Sequence, residues 1–134
     1  LIGFSLLNYY QYNKIIIDRV PKAQSLEEVE QQLSQAKKLC ERCGVPYYLA
    51  GFANLDEAKK LQSSRLIDKA QQAFDELIKR NPYNSKVYMT QGDLYLFQRN
   101  AKKAIASYKM AMRDSRNKEV AHKKIASLEG AADF

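Results

Sequence analysis

The sequence has little of what most enzymes and secreted scaffolds need. Its 134 residues include a single histidine, His122, no tryptophan, and only two cysteines, Cys40 and Cys43. A small disulfide-stapled scaffold needs more cysteine. A catalytic histidine needs an orienting partner and a nucleophile, which the neighbouring Lys123 and Lys124 cannot supply. No glycine-rich phosphate loop and no His-Glu-x-x-His motif occurs. The sequence therefore predicts a protein that is not an enzyme and has no metal site and no cofactor.

Glycine and proline are also scarce. Five glycines and three prolines are too few for a loop-rich β-sandwich. The content of 46% hydrophobic and 28% charged residues excludes disorder along most of the chain. No segment alternates apolar and polar residues with period two, whereas turn signals divide the chain into seven helix-length pieces. We therefore predict an all-α fold.

Capping signals predict where these helices begin and end. Ser25 and Glu28 have the spacing of a capping box, in which the serine accepts an N–H of the first turn and the glutamate reaches back. This helix is expected to run to about Cys43 and to end at Gly44 in the left-handed conformation, with Pro46 in the first turn of the next helix. The next helix is expected to be long and to end near Gln62.

Cys40 and Cys43 form a Cys-x-x-Cys motif. Redox pairs of this kind are activated at a helix N-terminus, whereas these two fall at the end of a predicted helix. A zinc site would need two further ligands. We expect buried packing residues here rather than a redox or metal pair.

An internal repeat of 34 residues is the most informative pattern. It relates three sets of positions: Ala36, Ala70 and Ala104; Cys40, Phe74 and Tyr108; and Cys43, Leu77 and Ala111. Within each unit the offsets are four and then three, which place the residues on one helix face. The pattern predicts a helical hairpin repeated three times, with a small residue where the helices approach closely.

The segment from Ser85 to Lys118 resembles a tetratricopeptide repeat along its full length. The residues that carry the resemblance are Tyr88, Gly92 and Tyr95 on the first helix and Ala104, Tyr108 and Ala111 on the second, with Ala70, Phe74, Leu77 and Pro82 in the preceding unit. Two positions depart from the family pattern: Gln91 replaces a usual leucine, and Arg116 replaces the usual closing proline. The resemblance implies a right-handed α–α superhelix, a solenoid of about three hairpins followed by a capping helix.

The middle unit can be aligned in two ways. Strict spacing places Asn54, Ala58 and Leu61 on the packing stripe of its first helix. A better match uses Tyr47, Gly51 and Asn54, which requires a helix about two turns longer. We favour the longer helix. The domain organisation that follows is an apolar N-terminal helix over residues 1–20, a repeat domain over residues 21–129 and a tail over residues 130–134.

The resemblance also implies a function in protein binding. Repeats of this family hold extended or helical peptides on a concave face built by the first helix of each hairpin. In the last full hairpin that face would carry Lys86, Met89, Asp93, Leu96 and Phe97. The alternative is that Leu96 and Phe97 pack against the next helix. Members that bind a terminal carboxylate use Asn and Lys where this chain has Asp93 and Met89. A peptide or protein partner is therefore expected, without that carboxylate clamp.

The net charge of +7 is unevenly distributed. Residues 85–134 contribute 10 basic and 5 acidic residues, or +5. Four of the basic residues are predicted to form one stripe on the sixth helix: Lys102, Lys109, Arg113 and Arg116. The stripe has two interpretations, a solvated helix face and an anion-binding patch, of which we favour the first. No aromatic residue interleaves with it, which argues against nucleic acid.

The N-terminal segment is apolar from Leu1 to Leu7 and then rich in tyrosine. One interpretation is a helix whose apolar residues, Ile15 and Val20 among them, dock on the repeats. The other is the interface end of a membrane span, because tyrosines followed by a lysine are typical there. Some bacterial polysaccharide polymerases and ligases carry such repeats after their last span, so the chain could be the soluble tail of such a protein and serve assembly. A homodimer through this helix is a further alternative. The sequence leaves the compartment open between a bacterial cytoplasm and its membrane.

Overall fold

The computed structural model describes the backbone of residues 5–132 and the side chains of residues 5–130, and this part of the chain is all-helical. The predicted all-α fold is confirmed. The first helix, α1 (Leu6–Lys14), continues through a π-helical segment (Ile15–Arg19) into a last α-helical turn (Val20–Lys22). The other helices are α2 (Leu26–Leu39), α3 (Val45–Leu61), α4 (Ser64–Arg80), α5 (Ser85–Phe97), α6 (Ala101–Ala111) and α7 (Ser115–Ala132). The predictions made on residues 1–4 and 133–134 lie outside the described residues.

The chain divides into two units, Leu1–Arg80 with α1 to α4 and Asn81–Phe134 with α5 to α7. In the first unit, α1 packs on α2. Tyr12 and Ile15 are buried against Ala36, and Ile16 and Val20 pack around them. One side of α1 is therefore part of the core of this unit, as the docking interpretation expects.

The hairpin in each unit is built on the same contact between a glycine and an aromatic ring. A Cβ placed on Gly51 of α3 would overlap the ring of Phe74 on α4, and a Cβ placed on Gly92 of α5 would overlap the ring of Tyr108 on α6. Both rings are fully buried. Glycine is needed at both positions because any side chain would displace the ring that fills the hairpin.

This repeated contact decides between the two alignments of the middle unit. Gly51 in α3 has the same neighbour as Gly92 in α5. The longer alignment is therefore correct, and α3 extends over 17 residues, from Val45 to Leu61, as predicted. The repeated alanines at positions 36, 70 and 104 are also equivalent, because all three are fully buried.

The predicted capping box at the start of α2 is confirmed. Ser25 Oγ accepts the Glu28 N–H at 3.1 Å, and Glu28 reaches back to the N–H of Gln24 at 3.0 Å. Asn84 and Asn100 cap α5 and α6 in the same way, by accepting backbone N–H groups at 3.2 Å and 3.1 Å. These side chains satisfy donors that a helix start leaves unpaired.

The predicted end of α2 is wrong. The helix stops at Leu39, four residues before Cys43, and Gly44 has a φ of −81° instead of the left-handed value expected. Gly44 caps the start of α3, and a Cβ there would press on the side chain of Leu77. Glycine at this position therefore serves close packing rather than chain reversal.

Candidate functional site

The residues predicted to bind a partner lie on α5 of the second unit. Lys86, Asp93 and Phe97 are exposed, and Met89 and Leu96 are half-buried. We refer to these five residues as the α5 surface. Phe97 is 72% exposed, which is high for a phenylalanine. The structure thus places all five on the helix that the sequence predicted and exposes three of them.

The remaining faces of α5 are buried, which fixes the orientation of this surface. Val87, Tyr88 and Leu94 are core residues, and Gly92 lies against Tyr108. The helix ends one residue before Gln98, and Arg99 then adopts a left-handed φ of 59° that reverses the chain into α6. Phe97 is therefore the last residue of the helix, directly before the turn into α6, and its side chain is exposed.

Asp93 has a second role that its position in the sequence does not reveal. The hydroxyl of Tyr108 donates to Asp93 Oδ1, and Lys124 Nζ lies 2.7 Å from the same oxygen. Burial, together with the bond to this carboxylate, raises the pKa of Tyr108 well above its usual range. The Lys124 ammonium also lies 5.4 Å from the centre of the Tyr108 ring. Asp93 thus connects α5 to both α6 and α7.

Two contacts show that α5 and α7 run side by side in the same direction. Asn117, near the start of α7, donates to Ser85 Oγ at the start of α5 at 2.8 Å. Lys124, further along α7, bonds Asp93, further along α5. The α5 surface is therefore bordered along its length by α7, whose Val120 is also exposed.

The turn from α6 to α7 is organised by Asp114. Its Oδ2 accepts from Ser85 Oγ at 2.8 Å and from Arg116 Nη2 at 2.8 Å, and its Oδ1 accepts the Arg116 N–H at 2.9 Å. The Arg116 guanidinium, with these hydrogen bonds, holds the pKa of the Asp114 carboxyl well below its usual range. The role of Arg116 at this turn is therefore structural.

The predicted basic stripe is not carried by one helix. Because α6 ends at Ala111, only Lys102 and Lys109 lie on it. Arg113 lies in the turn, and Arg116 lies in α7 and is paired with Asp114. All four are exposed. The placement on a single helix was wrong because the helix ends at Ala111, before Arg113 and Arg116. Anion binding by this set stays a prediction.

The cysteine prediction also needs correction. Cys40 and Cys43 are joined by a disulfide that closes the turn between α2 and α3. They are half-buried and pack at the edge of the core formed by Tyr12, Ile15 and Ala36. Packing was thus predicted correctly but the bond was not, since the sequence did not show that the chain leaves the helix at Leu39.

The first unit contains a cavity of about 350 Å³ between α2, α3 and α4 that the sequence did not indicate. The ring of Tyr47 lies between two cations, with Lys37 Nζ at 4.5 Å and the Arg80 guanidinium at 4.1 Å from its centre. Arg80 also bonds Glu76 at 2.9 Å. Burial lowers the pKa of Lys37. These contacts tie three helices together, and the cavity is lined largely by side chains that already have partners.

Neither His122 nor the cysteines supply a metal centre in the described part of the chain. His122 is exposed, and among residues 5–132 no group of three His, Cys, Asp or Glu residues could hold a metal ion. In the same range, no helix is long and apolar enough to cross a bilayer.

Comparisons with known proteins add no identification. Neither the models of protein families nor the curated proteins gave a match to this chain.

Proposed function

We propose that this protein is a non-catalytic interaction module that binds a peptide or a segment of another protein on the α5 surface. The observation that carries the proposal is the exposure of Phe97 at the C-terminal end of α5, on the same face as the exposed Lys86 and Asp93. Aromatic side chains, phenylalanine among them, are enriched at protein interfaces, where a few residues carry most of the binding energy. The charged neighbours would select the register of the partner.

We further propose that the hairpins stack into a right-handed superhelix of the tetratricopeptide kind. The glycine–aromatic contact present in both units supports this arrangement, because repeated hairpins with the same internal packing bury a continuous core when they stack. In such a stack the α5 surface would belong to the concave face. A small-angle X-ray scattering curve typical of two freely tumbling units would contradict it.

The binding proposal is tested by panning a displayed peptide library against the full chain and measuring the selected peptides on variants. Phe97→Ala is expected to weaken their binding at least tenfold, because it removes the anchor of the interface. Tyr83→Ala is the matched control, since Tyr83 is an equally exposed aromatic of the same unit that lies in the loop before α5. Asp93 is unsuitable for this test because its removal would disturb Tyr108 and Lys124.

Peptides that bind Phe97→Ala and Tyr83→Ala equally well would contradict the proposal. A library that yields no binder above background would also count against it. Circular dichroism of each variant shows that helicity is retained, so that loss of binding is not loss of fold.

A further inference from the structure

A second surface, independent of the α5 surface, lies on the first unit. The side of α1 that faces away from its core contacts is apolar and exposed. Leu6, Leu7, Tyr10 and Ile17 are between 63% and 83% exposed. We refer to these four residues as the α1 stripe. They lie opposite Tyr12 and Ile15, the residues that attach α1 to α2. The stripe is therefore exposed while α1 is fully docked.

A basic cavity of about 370 Å³ opens between α1 with its π-helical segment and α2. Two of its residues, Gln11 and Lys14, lie one helical turn after Leu7 and Tyr10, so the cavity adjoins the stripe. Three cationic side chains line it, Lys14, Arg19 and Lys38, together with the amides of Gln11 and Gln35. No carboxylate lines the cavity. Asp18, which precedes Arg19 in the chain, is paired with Lys22 at 2.7 Å. Its pKa is lowered by that pairing first and, to a smaller extent, by the charges of Lys14 and Arg19.

The π-helical segment explains why two of these cations meet. In an ordinary α-helix, residues five positions apart point in different directions. The backbone N–H of Val20 bonds the carbonyl of Ile15, five positions before it, and this wider turn moves later residues round the axis. Lys14 and Arg19 are five positions apart and both line the cavity. Segments of this kind are found disproportionately at functional sites.

The chemistry of the cavity favours a phosphate group. Lysine and arginine donors with no competing carboxylate bind phosphate oxygens through charge-assisted hydrogen bonds. The glutamine amides can supply further neutral donors. A cavity of this size also falls within the range of small-ligand sites.

The apolar stripe beside the cavity favours the phosphate of a lipid over a free phosphate. A free phosphate would not use Leu6, Leu7 or Ile17. In a lipid bilayer, acyl chains lie directly beneath the phosphate head groups. One lipid surface can therefore contact both the apolar stripe and the basic cavity. Tyr10 suits the boundary between them, because tyrosine has an apolar ring and a polar hydroxyl.

We propose that the first unit docks on an anionic lipid surface, with the α1 stripe in the interfacial region and a lipid phosphate in the basic cavity. Charge complementarity is the argument for the anionic lipid, since Lys14, Arg19 and Lys38 line the cavity and no carboxylate does. Basic residues beside an interfacial helix add electrostatic attraction to apolar burial.

The test is flotation of the full chain with vesicles of pure phosphatidylcholine and with vesicles of an equal mixture of phosphatidylcholine and phosphatidylglycerol. Binding to the anionic vesicles is expected to exceed binding to the neutral vesicles at least tenfold and to weaken as salt is added. The triple variant Lys14→Gln, Arg19→Gln, Lys38→Gln is expected to lose this preference. The double variant Leu7→Ser, Ile17→Ser is expected to bind both vesicles weakly.

Matched controls distinguish the effect of this site on vesicle binding from the effects of net charge and of exposed apolar side chains in general. Lys59→Gln, Lys60→Gln, Arg65→Gln removes the same charge from exposed positions of the same unit, and Leu61→Ser, Val45→Ser removes exposed apolar side chains outside α1. Both control variants are expected to bind as the parent chain does. Equal loss in the charge control would overturn the proposal, because the effect would then be one of net charge.

Two further outcomes would also overturn it. In the first, inorganic phosphate fully inhibits vesicle binding, and the Leu7→Ser, Ile17→Ser variant binds as the parent chain does. The cavity would then be a site for a free anion. The second is a dimer in sedimentation that Leu7→Ser, Ile17→Ser converts to a monomer while vesicle binding persists. In that case the stripe would be covered by a second copy of the chain.

Discussion

At the scale of single residues, the contact between a glycine and an aromatic ring is what makes each hairpin close. Gly92 has no alternative, because a Cβ there would occupy the space of the Tyr108 ring. Tyr108 cannot yield easily, since its ring is fully buried and its hydroxyl is held by Asp93. The cost of a side chain at position 92 must therefore appear as lost stability.

We expect Gly92→Ala to lower the free energy of unfolding by about 1–3 kcal/mol, as overpacking of a rigid core does. The matched control is Gly130→Ala in α7, where a Cβ would meet nothing within 4 Å. That substitution is expected to leave stability unchanged or to raise it by up to about 1 kcal/mol, because alanine favours a helix over glycine. Urea denaturation followed by circular dichroism measures both. Equal effects of the two substitutions would show that the ring at position 108 moves aside.

At the scale of elements, the turn from α6 to α7 depends on one carboxylate. Asp114 receives bonds from Ser85 at the start of α5 and from Arg116 at the start of α7. Since its pKa is lowered in the folded state, the carboxylate stabilises the fold at pH values above the ordinary pKa of an aspartate. This stabilisation is lost as the pH falls towards the lowered value and the carboxylate takes up a proton.

Asp114→Asn is therefore expected to be less stable than the parent chain at neutral pH, and the difference should shrink as the pH falls from about 6 to about 2. Thermal unfolding at a series of pH values measures it. Glu129→Gln is the control, because Glu129 is an exposed carboxylate with no hydrogen bond or ion pair within residues 5–130. A constant difference between Asp114→Asn and the parent chain across this range would show that ionisation of Asp114 plays no part in the turn.

Prediction from the sequence succeeds at the start of a helix and fails at the end of one. Local signals placed the start of α2 at Ser25, because a cap depends only on residues three positions apart. The end of α2 was misplaced. At the end of α2 the disulfide between Cys40 and Cys43 closes a turn, and the Cys-x-x-Cys motif was interpreted as packing because both cysteines were placed inside the helix.

The candidate site shows the same limit. Helical spacing correctly assigned Lys86, Asp93 and Phe97 to one exposed face of α5. It could not reveal that Asp93 is bound by Lys124, because that bond depends on the register of α7, 31 positions later in the chain. The basic cavity was missed for a similar reason, since it requires a π-helical segment that no sequence pattern announced.

At the scale of the whole molecule, the boundary between the two units falls between Arg80 and Asn81. The guanidinium of Arg80 is held by Glu76, by the Glu41 carbonyl and by the Tyr47 hydroxyl. The loop that follows is exposed, and Tyr83 within it is 81% exposed. The loop is therefore an exposed segment outside the helices, of the kind at which proteases cut first.

Brief digestion with chymotrypsin is expected to cut first after Tyr83 and to release two fragments that correspond to the units. Other exposed aromatic residues, Tyr10 and Phe97 among them, lie in helices and should be cut more slowly. Mass spectrometry of early time points identifies the first cut. The Tyr83→Ser variant should survive at least tenfold longer, and a first cut after Tyr10 or Phe97 would show that a helix opens before the loop does.

The glycine–aromatic contact also has a consequence for how hairpins of different length can coexist in one chain. Phe74 follows Gly51 by 23 positions, whereas Tyr108 follows Gly92 by 16. The seven additional residues, about two helical turns, all lie on the far side of the contact, towards the connection between α3 and α4. Whole turns can thus be inserted at a hairpin tip while the packing at its base keeps its register. A hairpin tip of this protein is therefore the place to accept a grafted epitope or a reporter sequence.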